Sequence, residues 1–171
     1  MNVKFLNPFV DSAFDVLEKE THITLRRGEL GLEKSPYITE DITVIIAMVG
    51  QIQGNVFYSM DNQTALALSS KMMGETLTDL NSLAQSGIAE LGNMITGQAS
   101  VRLSAAGYES TISPPTLLIG KGATISTLDF PRLTVPVLSE CGKMTIHLAI
   151  REGMMKGRAV DLPIPSRPTI L

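Results

Sequence analysis

The chain predicts an α+β fold: a single domain in which an antiparallel-rich β-sheet is packed by long α-helices. Three observations predict it. Asp41 to Gly50 is β-branched and apolar, and the better alternating Gln51 to Met60 follows it at hairpin distance. Leu80 to Ala106 keeps a helical period for about seven turns. Leu128 to Ser139 and Lys143 to Arg151 alternate on either side of Glu140-Cys141-Gly142, as two long antiparallel strands would.

The remaining elements follow in chain order. Asn7-Pro8 opens a first helical pattern, with Asn7 as N-cap and Pro8 at the first helical position. Phe9, Ala13, Val16 and Leu17 recur at helical spacing, and the pattern fades near Glu20. His22 to Glu33 alternates loosely around a turn at Gly28, with Ile23, Leu25, Leu30 and Leu32 as its inward positions. The turn between the two central strands falls at Gly50-Gln51. Asp61 reads as the N-cap of a second helix, Asn62 to Met73, stopped by Gly74. Gly107 ends the long helix, and Ser113-Pro114-Pro115 leads stiffly into a strand at Thr116 to Ile119. Pro131 and Pro136 lack the N–H a ladder needs, which places their strand at a sheet edge. From Glu152 onward Gly, Pro and basic residues dominate. The division expected is a domain over 1–151 and a C-terminal tail or arm over 152–171.

Composition bounds the function. With 171 residues, 44% apolar and 18% charged, the chain can bury a proper core and is not disordered. A net charge of −3, without a Lys/Arg cluster or an aromatic array, argues against a nucleic-acid partner. The Arg26-Arg27 pair is expected to be solvated, and the basic residues Arg151, Lys156, Arg158 and Arg167 near the end are expected in a disordered end, with attraction of an acidic partner as the alternative. A single cysteine, Cys141, excludes an internal disulfide and fits a reducing compartment, so cytoplasmic localisation is expected. Its place beside Gly142 reads as a passive turn or buried thiol. Pro8 and Asp11 interrupt the start before a secretory apolar stretch forms, and no run is long enough to span a bilayer. His22 and His147 lack partners at metal-ligand spacing, so no metal or cofactor of its own is expected. Met72-Met73 and Met154-Met155 are expected to fill core space.

The chemistry concentrates in the long helix. Ser86, Glu90, Asn93 and Gly97 fall within roughly 60° of one another on a helix turning about 100° per residue. Ala84, Ile88, Leu91, Ile95 and Ala99 cluster roughly 160° away and form a core face. Gly87, Gly92 and Gly97 interrupt the helix, each at a cost of about 1 kcal/mol relative to Ala in an exposed helix. Close packing or room for a partner's backbone would account for them. The result is a flat face with one carboxylate and one carboxamide, suited to docking against another protein. Asn93 cannot take a proton at neutral pH, but its carboxamide can hold a water through one acceptor and two donors. That suffices where placement of water and charge neutralisation by Mg²⁺ carry most of the work, as in phosphoryl hydrolysis. Glu90, one turn earlier, reads either as a base for that water or as an anchor for a partner's cation. The chain shows no phosphate loop and no nucleophile paired with a base, so metal and phosphate would have to belong to a substrate protein.

The pattern Ser86-x-x-x-Glu90-x-x-Asn93-x-x-x-Gly97 resembles the signature of the CheC/CheX/FliY family, phosphatases of the phosphorylated chemotaxis response regulator CheY. Phe5-Leu6-Asn7-Pro8-Phe9 with Val16-Leu17-Glu18 resembles the first helix of its CheX branch. Ile112-Ser113-Pro114-Pro115-Thr116 resembles the segment after the branch's long helix, and the likeness runs loosely over residues 3 to 151. It implies a CheC/CheX-like fold in which Asn93 positions the attacking water and Glu90 pairs with a receiver Lys. It also implies that Mg²⁺ is supplied by the receiver. Ser86 reads either as part of the partner-contact surface or as a small helix residue, and Gly97 as a packing or clearance residue at that surface. The CheC branch carries two such motifs; the CheX branch carries one and dimerises through its sheets. Asp11, Asp15 and Glu18 repeat the spacing on the first helix without an Asn, which implies one site per subunit and a homodimer. The resemblance leaves two functions open: the phosphatase, and a non-catalytic module that binds a receiver or scaffold in chemotaxis or the flagellar switch.

Overall fold

A computed structural model describes residues 3–128 and 130–153 of the chain. A short 3₁₀ turn, Val3–Phe5, leads into α1 (Leu6–Thr21). Five strands follow: β1 (Arg26–Arg27), β2 (Gly31–Glu33), β3 (Tyr37–Ile38), β4 (Ile42–Gly50) and β5 (Ile52–Met60). Next come the two helices α2 (Asn62–Met73) and α3 (Ser82–Ala105). The chain then adds β6 (Ser110–Ile112), β7 (Thr116–Ile119), β8 (Thr124–Ile125), β9 (Arg132–Ser139) and β10 (Gly142–Glu152). Eight strands form one antiparallel sheet in the order β1-β9-β10-β5-β4-β6, with β2 also on β9 and β7 also on β4.

Alternation assigns the two faces of the sheet. Val44 and Ile46 of β4, Val56 and Tyr58 of β5, and Ile146 and Leu148 of β10 all point to one core, against Phe9 and Leu17 of α1 and Ile88, Leu91 and Ile95 of α3. The helices cover that face. The opposite face is closed by the two-stranded ribbon of β3 and β8, through Tyr37. Its ring stacks on Phe57 at a centroid distance of 6.0 Å and meets the His147 ring tilted by 45° at 4.6 Å, and its hydroxyl lies 3.0 Å from Thr43 Oγ1. Arg132 Nε donates to His147 Nδ1 at 3.2 Å, which leaves the proton on Nε2 to reach Ser59 Oγ at 2.9 Å. Burial, then the Arg132 charge, push the His147 pKa down to about 3, so the imidazole is a neutral link in a buried polar chain.

Helix ends follow the capping rules. The Asp61 carboxylate accepts from Thr64 N at 2.7 Å, a bond that lowers its pKa, and Gly74 stops α2 at φ 68°. Asn81 caps α3 by accepting from Leu83 N and Ala84 N at 3.1 and 3.0 Å, so the long helix starts two residues after the predicted Leu80. At the amino terminus the 3₁₀ turn runs directly into α1. Asn7 therefore lies inside the helix and Pro8 in its first turn, where a missing N–H costs nothing.

Three expectations are corrected. The strand containing Pro136 is not an edge: β9 lies between β10 and the broken strand β1/β2. Gly28 N donates to Pro136 O at 2.8 Å, so the Pro136 nitrogen faces residues 28–30, where the β1/β2 ladder is interrupted. Its missing donor falls in that gap. Leu30 and Leu32 face outward, 39% and 60% exposed, whereas Ile23 is buried and Leu25 partly so. Met73 is exposed, and only Met72 of that pair packs against the core.

Arg26 and Arg27 are exposed, and Cys141 is a half-buried turn residue whose thiol pKa is raised chiefly by burial. Glu152 continues β10 opposite Ile52, and Gly153 N bonds to Gln51 O at 2.7 Å. The rest of the predicted arm, with Met154-Met155, Lys156, Arg158 and Arg167, lies outside the described residues. No helix among the described residues is long and apolar enough to cross a membrane.

Candidate functional site

α3 brings all four motif residues to one exposed side. Ser86 and Glu90 are exposed, while Asn93 and Gly97 are half-buried, and the predicted apolar set Ala84, Ile88, Leu91, Ile95 and Ala99 is buried behind them. Asn93 Nδ2 donates to Glu90 Oε2 at 3.5 Å. That long bond keeps the two side chains together and leaves the Asn93 carbonyl oxygen and a second N–H to face outward.

The glycines divide the work. A Cβ on Gly92 would stand 2.9 Å from Val44 Cγ1 and 3.1 Å from a Tyr58 ring carbon, so Gly92 lets the helix lie directly on the sheet. A Cβ on Gly87 would stand 3.0 Å from Met73 Cε, the end of a flexible side chain that crosses the helix there. At Gly97 the nearest atom is Ile112 Cδ1 at 3.9 Å, an ordinary contact, so the fold does not require glycine at that position.

Two buried hydroxyls hold the turn that carries Asn93. Thr96 Oγ1 donates to Gly92 O at 2.8 Å and so accepts from the Tyr58 hydroxyl at 2.7 Å. Desolvation drives the Tyr58 pKa far above its ordinary value, so the phenol stays protonated and a donor. This seat was invisible to sequence reasoning, because Tyr58 and Thr96 meet only through the fold; their contributions look like ordinary core positions.

The acidic repeat on α1 is used internally. Arg102 of α3 pairs with Asp11 at 3.6 Å and with Asp15 more closely, and Gln98 Nε2 donates to Asp15 at 3.1 Å. Those two carboxylates thus tie α1 to α3. Glu18, at the third position of the repeat, is exposed.

The family model described as chemotaxis phosphatase CheX matches residues 42–138, more than half of the chain. The chain belongs to the CheX family. It is 29% identical over 155 residues to the CheY-P phosphatase CheX of Thermotoga maritima, covering 90% of this chain and 99% of that protein. A CheC-like superfamily protein from Shewanella sp. PV-4 superposes with a TM-score of 0.80 at 32% identity, over 88% of this chain and 99% of that one. CheX in the CheX–CheY–BeF₃–Mg²⁺ complex from Borrelia burgdorferi superposes with a TM-score of 0.76 at 28% identity, over 88% and 100% of the two chains. The CheX assignment and the α+β architecture agree with the sequence reading.

Proposed function

We propose that this chain is a protein aspartyl-phosphate phosphatase that acts on a phosphorylated CheY-like receiver in the cytoplasm. The observation that carries this reading is the side-by-side presentation of Glu90 and Asn93 on the exposed side of α3. Glu90 pairs with a receiver Lys and sets the docking register. Asn93 enters the receiver's site, accepts a hydrogen bond from the attacking water and fixes the water oxygen in line with phosphorus. Water oxygen bonds to phosphorus, the phosphorus–oxygen bond to the aspartate breaks with its electron pair left on the carboxylate, and inorganic phosphate leaves carrying both water protons. A loose phosphoryl-transfer transition state needs little help from a base, which is why a carboxamide serves. The Mg²⁺ that neutralises charge and the phosphoryl group both stay with the receiver.

Phosphate release from a panel of phosphorylated receivers, presented with catalytic amounts of the intact protein, tests the reading. At least one receiver should be cleared over many turnovers. Tight binding without acceleration would make the chain a non-catalytic binding module. Glu90→Ala separates the two roles open to that carboxylate: we expect weaker receiver binding, with KM raised about tenfold and kcat little changed. A selective loss of kcat would assign Glu90 to activation of the water.

We further propose a homodimer joined at a sheet edge. With β9 inside the sheet, the strands available on that side are β1 and β2, and the exposed Leu30 and Leu32 on and beside β2 are unusual for a solvated edge. Light scattering should give twice the chain mass for the wild type and the monomer mass for Leu32→Lys. A wild-type monomer at micromolar concentration contradicts it.

A further inference from the structure

The exposed side of α3 carries two parallel rows, each with steps of seven, four and seven residues. Ser86, Asn93, Gly97 and Ser104 form a low row from which the Asn93 side chain stands out. Leu83, Glu90, Met94 and Val101 form the other, apolar at every position except Glu90. Leu83 is 46% exposed and Val101 69% exposed, while Met94 is half-buried against the core. Met73 of α2, 37% exposed, brings its Cε against Gly87, which lies one turn from both Leu83 and Glu90. Single exposed apolar residues need no explanation, but several set along one helix row on both sides of the proposed docking carboxylate do.

We infer that the Leu83–Met73–Met94–Val101 ridge is the apolar rail on which the phosphorylated receiver docks, flanking Glu90 on both sides. The inference rests on the site reading above and extends it from chemistry to partner selection. The row spans 18 residue steps, about 27 Å, which is close to the diameter of one small domain. Its charge pattern selects the occupant. The row is centred near Gly92, so a second copy docked about a two-fold axis would bring one Glu90 toward the other. The basic residue of α3, Arg102, lies about 18 Å along the helix axis from Glu90 and is held by Asp11 and Asp15. The occupant must therefore bring its own cation opposite Glu90, with apolar side chains on either side of it. A receiver with a Lys beside its phosphorylated aspartate meets the first requirement, and the ridge demands the second.

Leu83→Ser/Val101→Ser removes the two ends of the ridge at exposed sites that the core does not use. Steady-state phosphate release from a phosphorylated receiver should show KM raised at least about tenfold, with kcat within about twofold of wild type. Asn93→Ala, run in parallel, should lose kcat instead. An unchanged KM in the double variant overturns the ridge, whatever Asn93→Ala does. Turnover retained by Asn93→Ala overturns the site reading, whatever the KM of the double variant. A loss of dimer mass in the double variant with KM unchanged would make the ridge a contact between copies, and would also overturn the inference.

Discussion

Asn93→Ala should cut the receiver-dephosphorylation rate at saturating receiver by about a hundredfold or more, while the melting temperature and the mass of the protein stay at wild-type values. The asymmetry follows from the site. Asn93 is half-buried on a helix whose core face lies on the opposite side, and within the described chain its side chain has one long bond, to Glu90. Truncation removes no core contact and also shortens a side chain in the interior of α3 to the best helix former. On the proposed mechanism it removes the acceptor that fixes the water, and with metal and phosphate both on the receiver this side chain would be the chain's own contribution to the reacting geometry. Stopped-flow or radiolabelled-phosphate decay reads the first half of this expectation, and thermal unfolding reads the second. A variant that turned over as fast as wild type would transfer the water-positioning role to another group.

Gly92→Val should have the largest effect on stability among the motif's neighbours, a loss of about 2–3 kcal/mol in urea unfolding. The new Cβ would stand at 2.9 Å from Val44 and 3.1 Å from Tyr58, both fully buried on central strands, so neither neighbour has room to retreat. α3 must lift from the sheet, which stretches the Tyr58–Thr96–Gly92 bonds that fix the turn carrying Asn93. Activity should therefore fall together with stability. Gly92→Ala is the informative control: it places the same Cβ against Val44 and Tyr58 without the two further methyl groups of Val, so its loss should be smaller and partly offset by a gain in helix propensity of about 1 kcal/mol. Gly92→Val with wild-type stability would mean that the helix does not need to lie this close to the sheet.

Much of this architecture can be read from local pattern, and the failures share a cause. α2 was legible because its cap Asp61 and its stop Gly74 are both sequence signals, and the β4–β5 hairpin because its strands are long. β3 and β8, two residues each, carry too little pattern to register, yet they close one face of the sheet. Pro136 misled for a related reason. Whether a missing N–H is tolerated depends on what lies opposite, and the opposing gap at residues 28–30 is set by tertiary pairing. At the site, Glu90 and Asn93 were legible because helical spacing alone places them together. Tyr58 and Thr96 were not, being 38 residues apart and joined by a hydrogen bond that only the packing creates. The ion pairs of Arg102 with α1 escaped in the same way.

The outward-facing carboxamide of Asn93 should shorten the life of a phosphate held by another protein. The direct measurement is the lifetime of a receiver's aspartyl-phosphate when every receiver molecule is bound, with wild-type protein and with Asn93→Ala side by side. The lifetime should be greatly shortened by the wild type and should return to that of the unbound receiver with the variant. Equal lifetimes in the two complexes would contradict it.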